Sequence, residues 1–291
     1  MITAAMVKEL RERTGAAMMD CKRALQATDG DLDAAAEKMR MEGQAKADKK
    51  ASRVAADGTV AFAENDQAVA VVEVNCETDF VSKGDDFLAL ANAAAQAVLG
   101  HQPADVLALA ELSSEGRKLD EWRRELVNKI GENMTFRRFS IINKATGATA
   151  TYSHGGRIGT VVTLEGGDEE LARNLAMHVA ASNPQYLDAD AVPAEAREAE
   201  RKILIAQAED SGKPMEIIEK MVEGRLRKYL AEITLLGQPF VMDPDQTVEK
   251  LLKGKGAKIA AYARFEVGEG IEKAADDFAA EVAATAKASM S

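Results

Sequence analysis

The stretch best suited to chemistry in this chain is Val74-Asn75-Cys76-Glu77-Thr78-Asp79-Phe80-Val81-Ser82-Lys83. It follows an apolar, β-branched run from Gln67 to Val74 that reads as a buried strand. Gly84-Asp85-Asp86 then leads into Phe87, Leu88, Leu90, Ala91, Ala94, Ala95 and Val98. That spacing is an amphipathic helix with two acids at its positive N-terminal end. An acid, Asp79, and a large aromatic, Phe80, thus fall between a strand and a helix. The chemistry on offer there is recognition, an aromatic anchor beside a carboxylate. A Phe at such a junction ordinarily folds back on the local core, so its use has to be argued from elsewhere in the chain.

Other chemistries have no matching pattern. There is no Walker A loop, and Gly268-Glu269-Gly270-Ile271-Glu272-Lys273 lacks the third Gly of a dinucleotide fingerprint. His101, His154 and His178 are scattered, with no metal-ligand spacing among them or with Cys21 and Cys76. No Gly-x-Ser-x-Gly elbow occurs. The expectation is a protein that is not an enzyme, with no catalytic residue, no metal site and no cofactor.

An internal repeat bears on Phe80. Gly84-Asp85-Asp86-Phe87-Leu88-Ala89 resembles Gly167-Asp168-Glu169-Glu170-Leu171-Ala172, with Ala93 matching Ala176 and Ala97 matching Ala180. The strand Val71-Val72-Glu73-Val74-Asn75 matches Val161-Val162-Thr163-Leu164-Glu165, but at an offset of 90 residues instead of 83. The first copy therefore has seven extra residues between strand and helix, and they contain Thr78-Asp79-Phe80. A connection not needed to close the unit is a place to look for function.

The chain has 291 residues, 29% charged and 4% aromatic, with a formal net charge of -11. That length suits two or more domains. The acidic balance argues against phosphate-backbone binding, hence no direct nucleic acid partner, and suits docking on another protein. No apolar run reaches the roughly 18 residues of a membrane span, and Met1-Ile2-Thr3 leads into a helical pattern with no signal-peptide character. Two isolated cysteines make no disulfide framework, so the expected compartment is the cytoplasm.

In chain order, residues 1–52 read as a three-helix docking module with a linker. Its stripes are Met6, Val7 and Leu10, then Met18, Met19, Cys21, Ala24 and Leu25, then Leu32, Ala35, Ala36 and Met39. The methionines read as core filler, and the polar segment Gly43 to Arg53 as an exposed linker, short helix or tether. Residues 53–147 read as the first core subdomain. A hairpin turns at Glu64-Asn65-Asp66, a charged helix runs from Ser114 to Lys129 with Trp122 in its core stripe, and a strand runs from Thr135 to Ile142. Residues 148–190 and 234–268 read as the second, with His154 at a hairpin tip formed by Gly155-Gly156. Residues 191–233 read as an inserted antiparallel coiled-coil hairpin about 30 Å long. Ala196, Ala199, Ile203 and Ala206 face Met215, Ile218, Val222, Leu226, Tyr229 and Ile233 across a turn at Ser211-Gly212-Lys213-Pro214. Residues 269–291 read as a C-terminal helix. The fold class is α+β, with a two-part core built on the repeat.

Several ordered motifs carry a family resemblance. They are Leu10-Arg11-Glu12-Arg13-Thr14-Gly15, Met18-Met19-Asp20-Cys21-Lys22, Glu73-Val74-Asn75-Cys76-Glu77-Thr78-Asp79-Phe80-Val81, Ile130-Gly131-Glu132-Asn133, His154-Gly155-Gly156-Arg157-Ile158-Gly159 and Gly237-Gln238-Pro239-Phe240-Val241-Met242. Over essentially its whole length the chain resembles the bacterial elongation factor Ts family, guanine nucleotide exchange factors for elongation factor Tu in translation elongation. The arm and terminal helix resemble the longer form of that family.

The resemblance implies that elongation factor Tu, GDP-bound or nucleotide-free, is the partner, with a two-to-two assembly open to the arm. It implies that Thr78, Asp79, Phe80 and Val81 act on the GTPase, Phe80 wedging between partner side chains, so that Mg²⁺ is dislodged, GDP leaves and GTP can load. It implies partner contacts at Lys22, Ile130, Gly131, His154, Val241 and Met242, and a ubiquitin-associated type of fold for the first module. Two other readings compete: a holdase-like binding protein that leaves nucleotide affinity alone, and a nucleotide-processing enzyme, which the missing phosphate loop disfavours.

Overall fold

A computed structural model of the chain describes residues 2–209 and 214–272. The chain opens with three helices, Ala4–Thr14 (α1), Met18–Ala27 (α2) and Leu32–Lys50 (α3). Two strands follow, Asp57–Glu64 (β1) and Ala68–Cys76 (β2), then Asp79–Ser82 (α4), Asp85–His101 (α5) and Val106–Glu111 (α6). A small hairpin, Ser113–Ser114 (β3) and Arg117–Lys118 (β4), precedes Leu119–Ile130 (α7) and Met134–Asn143 (β5). The second half contains Thr149–His154 (β6), Ile158–Glu165 (β7), Glu169–Ser182 (α8), Ala194–Glu209 (α9) and Met215–Ile233 (α10). It continues with Pro239–Phe240 (β8), Asp243–Thr247 (β9), Val248–Gly254 (α11) and Lys258–Glu266 (β10). The fold is α+β. Of the described residues, one compact unit holds 2–63, 70–140 and 266–272, and the other holds 64–69 and 141–265.

The sheets carry the repeat. One has the order β1-β2-β5 and the other β10-β7-β6. In both, a hairpin is followed by a helix and then by a third strand, and the second strand of the hairpin is central. The matching residues Val71–Asn75 and Val161–Glu165 lie on those central strands, β2 and β7. The extra residues of the first copy hold α4. Insertions enter each copy at the same place, between its helix and its third strand: α6 to α7 in the first, α9 to α11 in the second.

Local rules set most boundaries. The Thr3 hydroxyl caps α1 by accepting from Met6 N at 3.3 Å, and Asp31 caps α3 by accepting from the N–H groups of Asp33 and Ala34, both at 2.9 Å. Gly155 and Gly156 both have positive φ, 59° and 73°, within the three-residue turn Gly155-Gly156-Arg157 that pairs His154 with Ile158.

Tertiary packing overrode the local reading in four places. Helix α3 runs through the segment read as a linker, because its second half lies on α7. Ala47 is buried, Asp48 pairs with Arg124 at 2.8 Å, and a Cβ on Gly43 would sit 3.1 Å from the Asn128 amide, so the missing side chain permits the approach. Helix α7 begins at Leu119, not Ser114. Glu115 and Gly116 take positive φ and turn the β3–β4 hairpin, which lays the Arg117 guanidinium 3.9 Å from the Trp122 ring centre. Trp122 itself is buried, as read. The core of α1–α3 uses Val7, Leu10, Cys21, Ala24, Leu25, Ala35 and Met39, while Met18 and Met19 are exposed and are not core filler. In the α9–α10 hairpin the seam is Leu204, Ala208, Ile218 and Val222. Ala199, Ile203 and Ala206 face outward, because α10 meets the face of α9 that carries Leu204 and Ala208. The turn at Ser211-Gly212-Lys213 and the helix expected from Ile271 to Ala288 fall outside the described residues, apart from Ile271 and Glu272.

Strand β2 is buried along its length and includes one carboxylate, Glu73, with no exposed surface. A buried charge has to be paired and hydrogen-bonded. Glu73 Oε1 accepts from Arg137 at 2.8 Å, from Gly268 N at 2.8 Å and from the Asn75 amide at 3.1 Å, and Oε2 accepts from Arg138 Nε at 2.6 Å. One carboxylate thereby ties β2, β5 and the chain after β10 together. Burial pushes its proton affinity up, but the Gly268 N–H, both guanidiniums and Asn75 outweigh that and hold it below the ordinary Glu value. A carboxyl depressed on folding stabilises the fold above its unfolded pKa and loses that contribution as pH falls through the folded value. Glu73→Gln is expected to lower stability by about 3 kcal/mol and to flatten the acid limb of the stability profile below roughly pH 4.5. Urea melts of wild type and variant between neutral pH and pH 3 check both; parallel profiles would contradict the assignment.

Candidate functional site

Phe80 is the most exposed large apolar side chain among the described residues, at 85%. Phe80 therefore does not fold back on the local core, as a Phe at such a junction ordinarily does. It sits on α4, a single turn without any buried residue. Asp79, beside it, is half exposed and pairs with Lys83 at 2.8 Å. A surface ion pair of this kind contributes about 0–1 kcal/mol, so it leaves Asp79 free to exchange partners. Val81 is partly buried.

What holds this turn is polar. Glu132 Oε2 accepts from Thr78 N at 3.0 Å, and its Oε1 accepts from Thr78 Oγ1 at 2.7 Å. In the reverse direction, Glu77 Oε1 accepts from Asn133 N at 2.6 Å. The end of β2 and the end of α7 thus exchange carboxylates. The Asn133 amide donates to Arg53 O at 2.8 Å and Ala51 O at 3.3 Å, and Lys50 Nζ donates to Gly131 O at 2.6 Å, which brings the end of α3 to the same place. Gly131 closes α7 at φ 97°, a left-handed cap that suits glycine. The Cys76 thiol donates to Thr78 O at 3.1 Å. Burial first, then the negative charge of Glu132, pushes that thiol up to about 12, so it stays protonated and unreactive at neutral pH.

Of the residues marked in the sequence, the structure brings Thr78, Asp79, Phe80, Val81, Ile130 and Gly131 together through Glu132. Ile130 is exposed at the last turn of α7. Lys22 lies apart from them, on the outward face of α2 with Met18 and Met19. His154, Val241 and Met242 belong to the other unit. His154 is exposed at the β6–β7 tip, with its Nδ1 3.2 Å from Tyr152 OH. Val241 and Met242 are exposed side chains on a firmly held loop. Val241 N donates to His178 Nδ1 at 3.2 Å, which leaves Nε2–H to donate to Gln238 Oε1 at 3.0 Å. The Gln238 amide in turn donates to Glu232 O at 2.8 Å and Ser182 O at 3.2 Å. Burial holds His178 below the ordinary imidazole value, against the opposing effect of Gln238, and keeps the ring neutral as these bonds require.

Sequence reasoning passed over Glu77, Glu132, Met18 and Met19. Glu132 had a signal: a carboxylate just past the negative C-terminal end of a helix is unfavourable unless it has a donor elsewhere. Among the described residues, no group of three or more His, Cys, Asp or Glu is placed to hold a metal ion, and no helix is long and apolar enough to cross a membrane.

A duplicated hairpin–helix–strand unit, with a polar-latched aromatic turn in one copy only, defines an α+β protein specialised at the junction after β2. Comparison with known proteins supplies the family. The sequence model described as "Elongation factor TS" matches residues 77–269. Elongation factor Ts of Thioalkalivibrio sulfidiphilus (strain HL-EbGR7) is 58% identical over 289 residues, covering 98% of this chain and 99% of that protein. The proteins of that name from Hydrogenovibrio crunogenus and Methylococcus capsulatus are 57% and 55% identical, over 99% of this chain and 98% and 99% of their own lengths. The chain belongs to the elongation factor Ts family.

The exposure of Phe80 has a direct consequence for stability. Truncating a core Phe costs about 3–5 kcal/mol. Phe80→Ala removes a side chain that covers no core, so the change is expected to stay within about 0.5 kcal/mol. A thermal melt that falls by the amount expected of a core Phe would show that the ring is packed.

Proposed function

We propose that this protein is a guanine nucleotide exchange factor that binds elongation factor Tu, dislodges its Mg²⁺, releases GDP and leaves the site open for GTP during translation elongation in the cytoplasm. The single observation that supports this best is Phe80, 85% exposed on a turn whose backbone is hydrogen-bonded from outside. An apolar ring in water gains by entering a partner, and a held backbone limits the ordering that binding would otherwise require. Mg²⁺ neutralises the charge of the bound diphosphate. A wedge that displaces it therefore weakens GDP binding, and the coupling is reciprocal, so GDP equally weakens the factor. Protein side chains suffice for this, without a catalytic residue or a cofactor.

The remaining exposed side chains supply affinity. Met18, Met19 and Lys22 give the three-helix module, of ubiquitin-associated type, a face of its own for the partner. Ile130 and Gly131 extend the wedge surface, and His154, Val241 and Met242 form contacts from the second unit. The α9–α10 hairpin, a short coiled coil, reaches another surface of the partner or a second copy.

Fluorescent GDP on elongation factor Tu reports the activity directly. Addition of the protein is expected to speed GDP release by at least about tenfold, a decade being 1.4 kcal/mol, and excess GDP is expected to dissociate the complex. A stable complex whose GDP leaves at the unassisted rate would contradict the proposal and leave a simple binding protein.

A further inference from the structure

We infer that Glu132 is the positioning residue of the Phe80 turn, and that the turn acts from a fixed geometry because this carboxylate holds it; the inference rests on the exchange reading above. Helix α4 has four residues, no buried side chain and no side-chain cap. So short a helix has too few bonds of its own to fix its direction. Thr78 precedes it in the capping position, yet the Thr78 hydroxyl donates to Glu132 Oε1 at 2.7 Å while the Thr78 N–H donates to Oε2 at 3.0 Å. Both oxygens of one acid are thus committed to the residue from which the turn starts.

The location of Glu132 supports the same role. It follows the Gly131 cap at the negative end of α7, where a carboxylate works against the helix dipole. The acid does nothing for α7, so what it contributes lies across the junction, at Thr78. Fixing of the junction is reciprocal, since Glu77 Oε1 accepts from Asn133 N at 2.6 Å. Removing Glu132 leaves that second bond and the Phe80 side chain in place. The variant therefore loosens the wedge without deleting it.

The two roles separate in kinetics. A loosened wedge still binds through the rest of the surface but acts less often once bound, so the limiting rate falls. A merely structural defect reduces the active fraction, which raises the apparent half-saturating concentration and leaves the limiting rate unchanged. Wild type, Glu132→Ala, Glu132→Gln and Phe80→Ala are titrated against the GTPase loaded with fluorescent GDP, and the two parameters are fitted separately.

Glu132→Ala is expected to lower the limiting rate about tenfold, the scale of one charge-assisted hydrogen bond, with the half-saturating concentration within about twofold of wild type. Glu132→Gln, which keeps one acceptor oxygen, is expected to fall between. An unchanged limiting rate with a raised half-saturating concentration overturns the inference. If Glu132→Ala is unfolded at the assay temperature, Glu132→Gln carries the same two outcomes. Phe80→Ala separates the failures. If it too releases GDP at the wild-type limiting rate, the exchange reading of the turn fails. If it is slow while the Glu132 variants are not, only the positioning role fails.

Discussion

The exchange of carboxylates between Glu132 and Thr78 on one side, and Glu77 and Asn133 on the other, is the constraint on which the functional surface depends. Strand β2 ends buried at Cys76, and the chain must leave the core there with its backbone polar groups satisfied. Water would satisfy them but would leave α4 free to move. Glu132 satisfies them with a charged acceptor fixed to the end of α7, and Asn133 carries the same fixing on to the chain after α3. Charge-assisted bonds of this kind contribute roughly 1.5–3 kcal/mol each. That is enough to order a single exposed turn without covering the Phe80 ring.

This arrangement explains how an apolar ring can remain exposed. Packing is the usual way to order a Phe, and packing would remove it from reach. Here the order comes from polar bonds to the backbone just before the ring, so the ring stays exposed. The second unit applies the same solution with different residues. Around Val241 and Met242 the order comes from buried His178 and Gln238, every polar side-chain atom of which has a partner, and the two apolar side chains stay outside. The Phe80 turn and the loop of Val241 and Met242 both lie in segments added to the duplicated hairpin–helix–strand unit.

Much of this was legible in the sequence, and the parts that were not have a common cause. The β2 and β7 strands, the helices after them, the hairpin tip at His154 and the extra residues around Phe80 all follow from local patterns of spacing and turn chemistry. The α+β class and the family resemblance hold. The failures concern which of two surfaces a segment meets. Nothing local tells that the second half of α3 lies on α7, since its polar residues suit water equally well; only Gly43, opposite Asn128, marks the approach. Helix α9 carries two apolar stripes, and periodicity alone favoured the wrong one. Met18 and Met19 look like core residues by type, yet Cys21, Ala24 and Leu25 already fill the space. Glu73, Glu77 and Glu132 are decided by partners many residues away, which no spacing rule encodes. The trace of Glu73 was a charge inside a buried strand and that of Glu132 a charge past a helix end, while Glu77 left none.

In the proposed function the Phe80 turn is responsible for the loss of Mg²⁺ and not for binding as such. The most direct measurement is therefore GDP release from elongation factor Tu by wild type and by Phe80→Ala, each at saturating concentration, with Mg²⁺ present and after its removal by a chelator. The account predicts that Phe80→Ala is slower than wild type by at least about tenfold with Mg²⁺ present, and that the two rates converge once the metal has been removed. Equal rates in the presence of Mg²⁺, or a difference that persists unchanged without it, would contradict the claim.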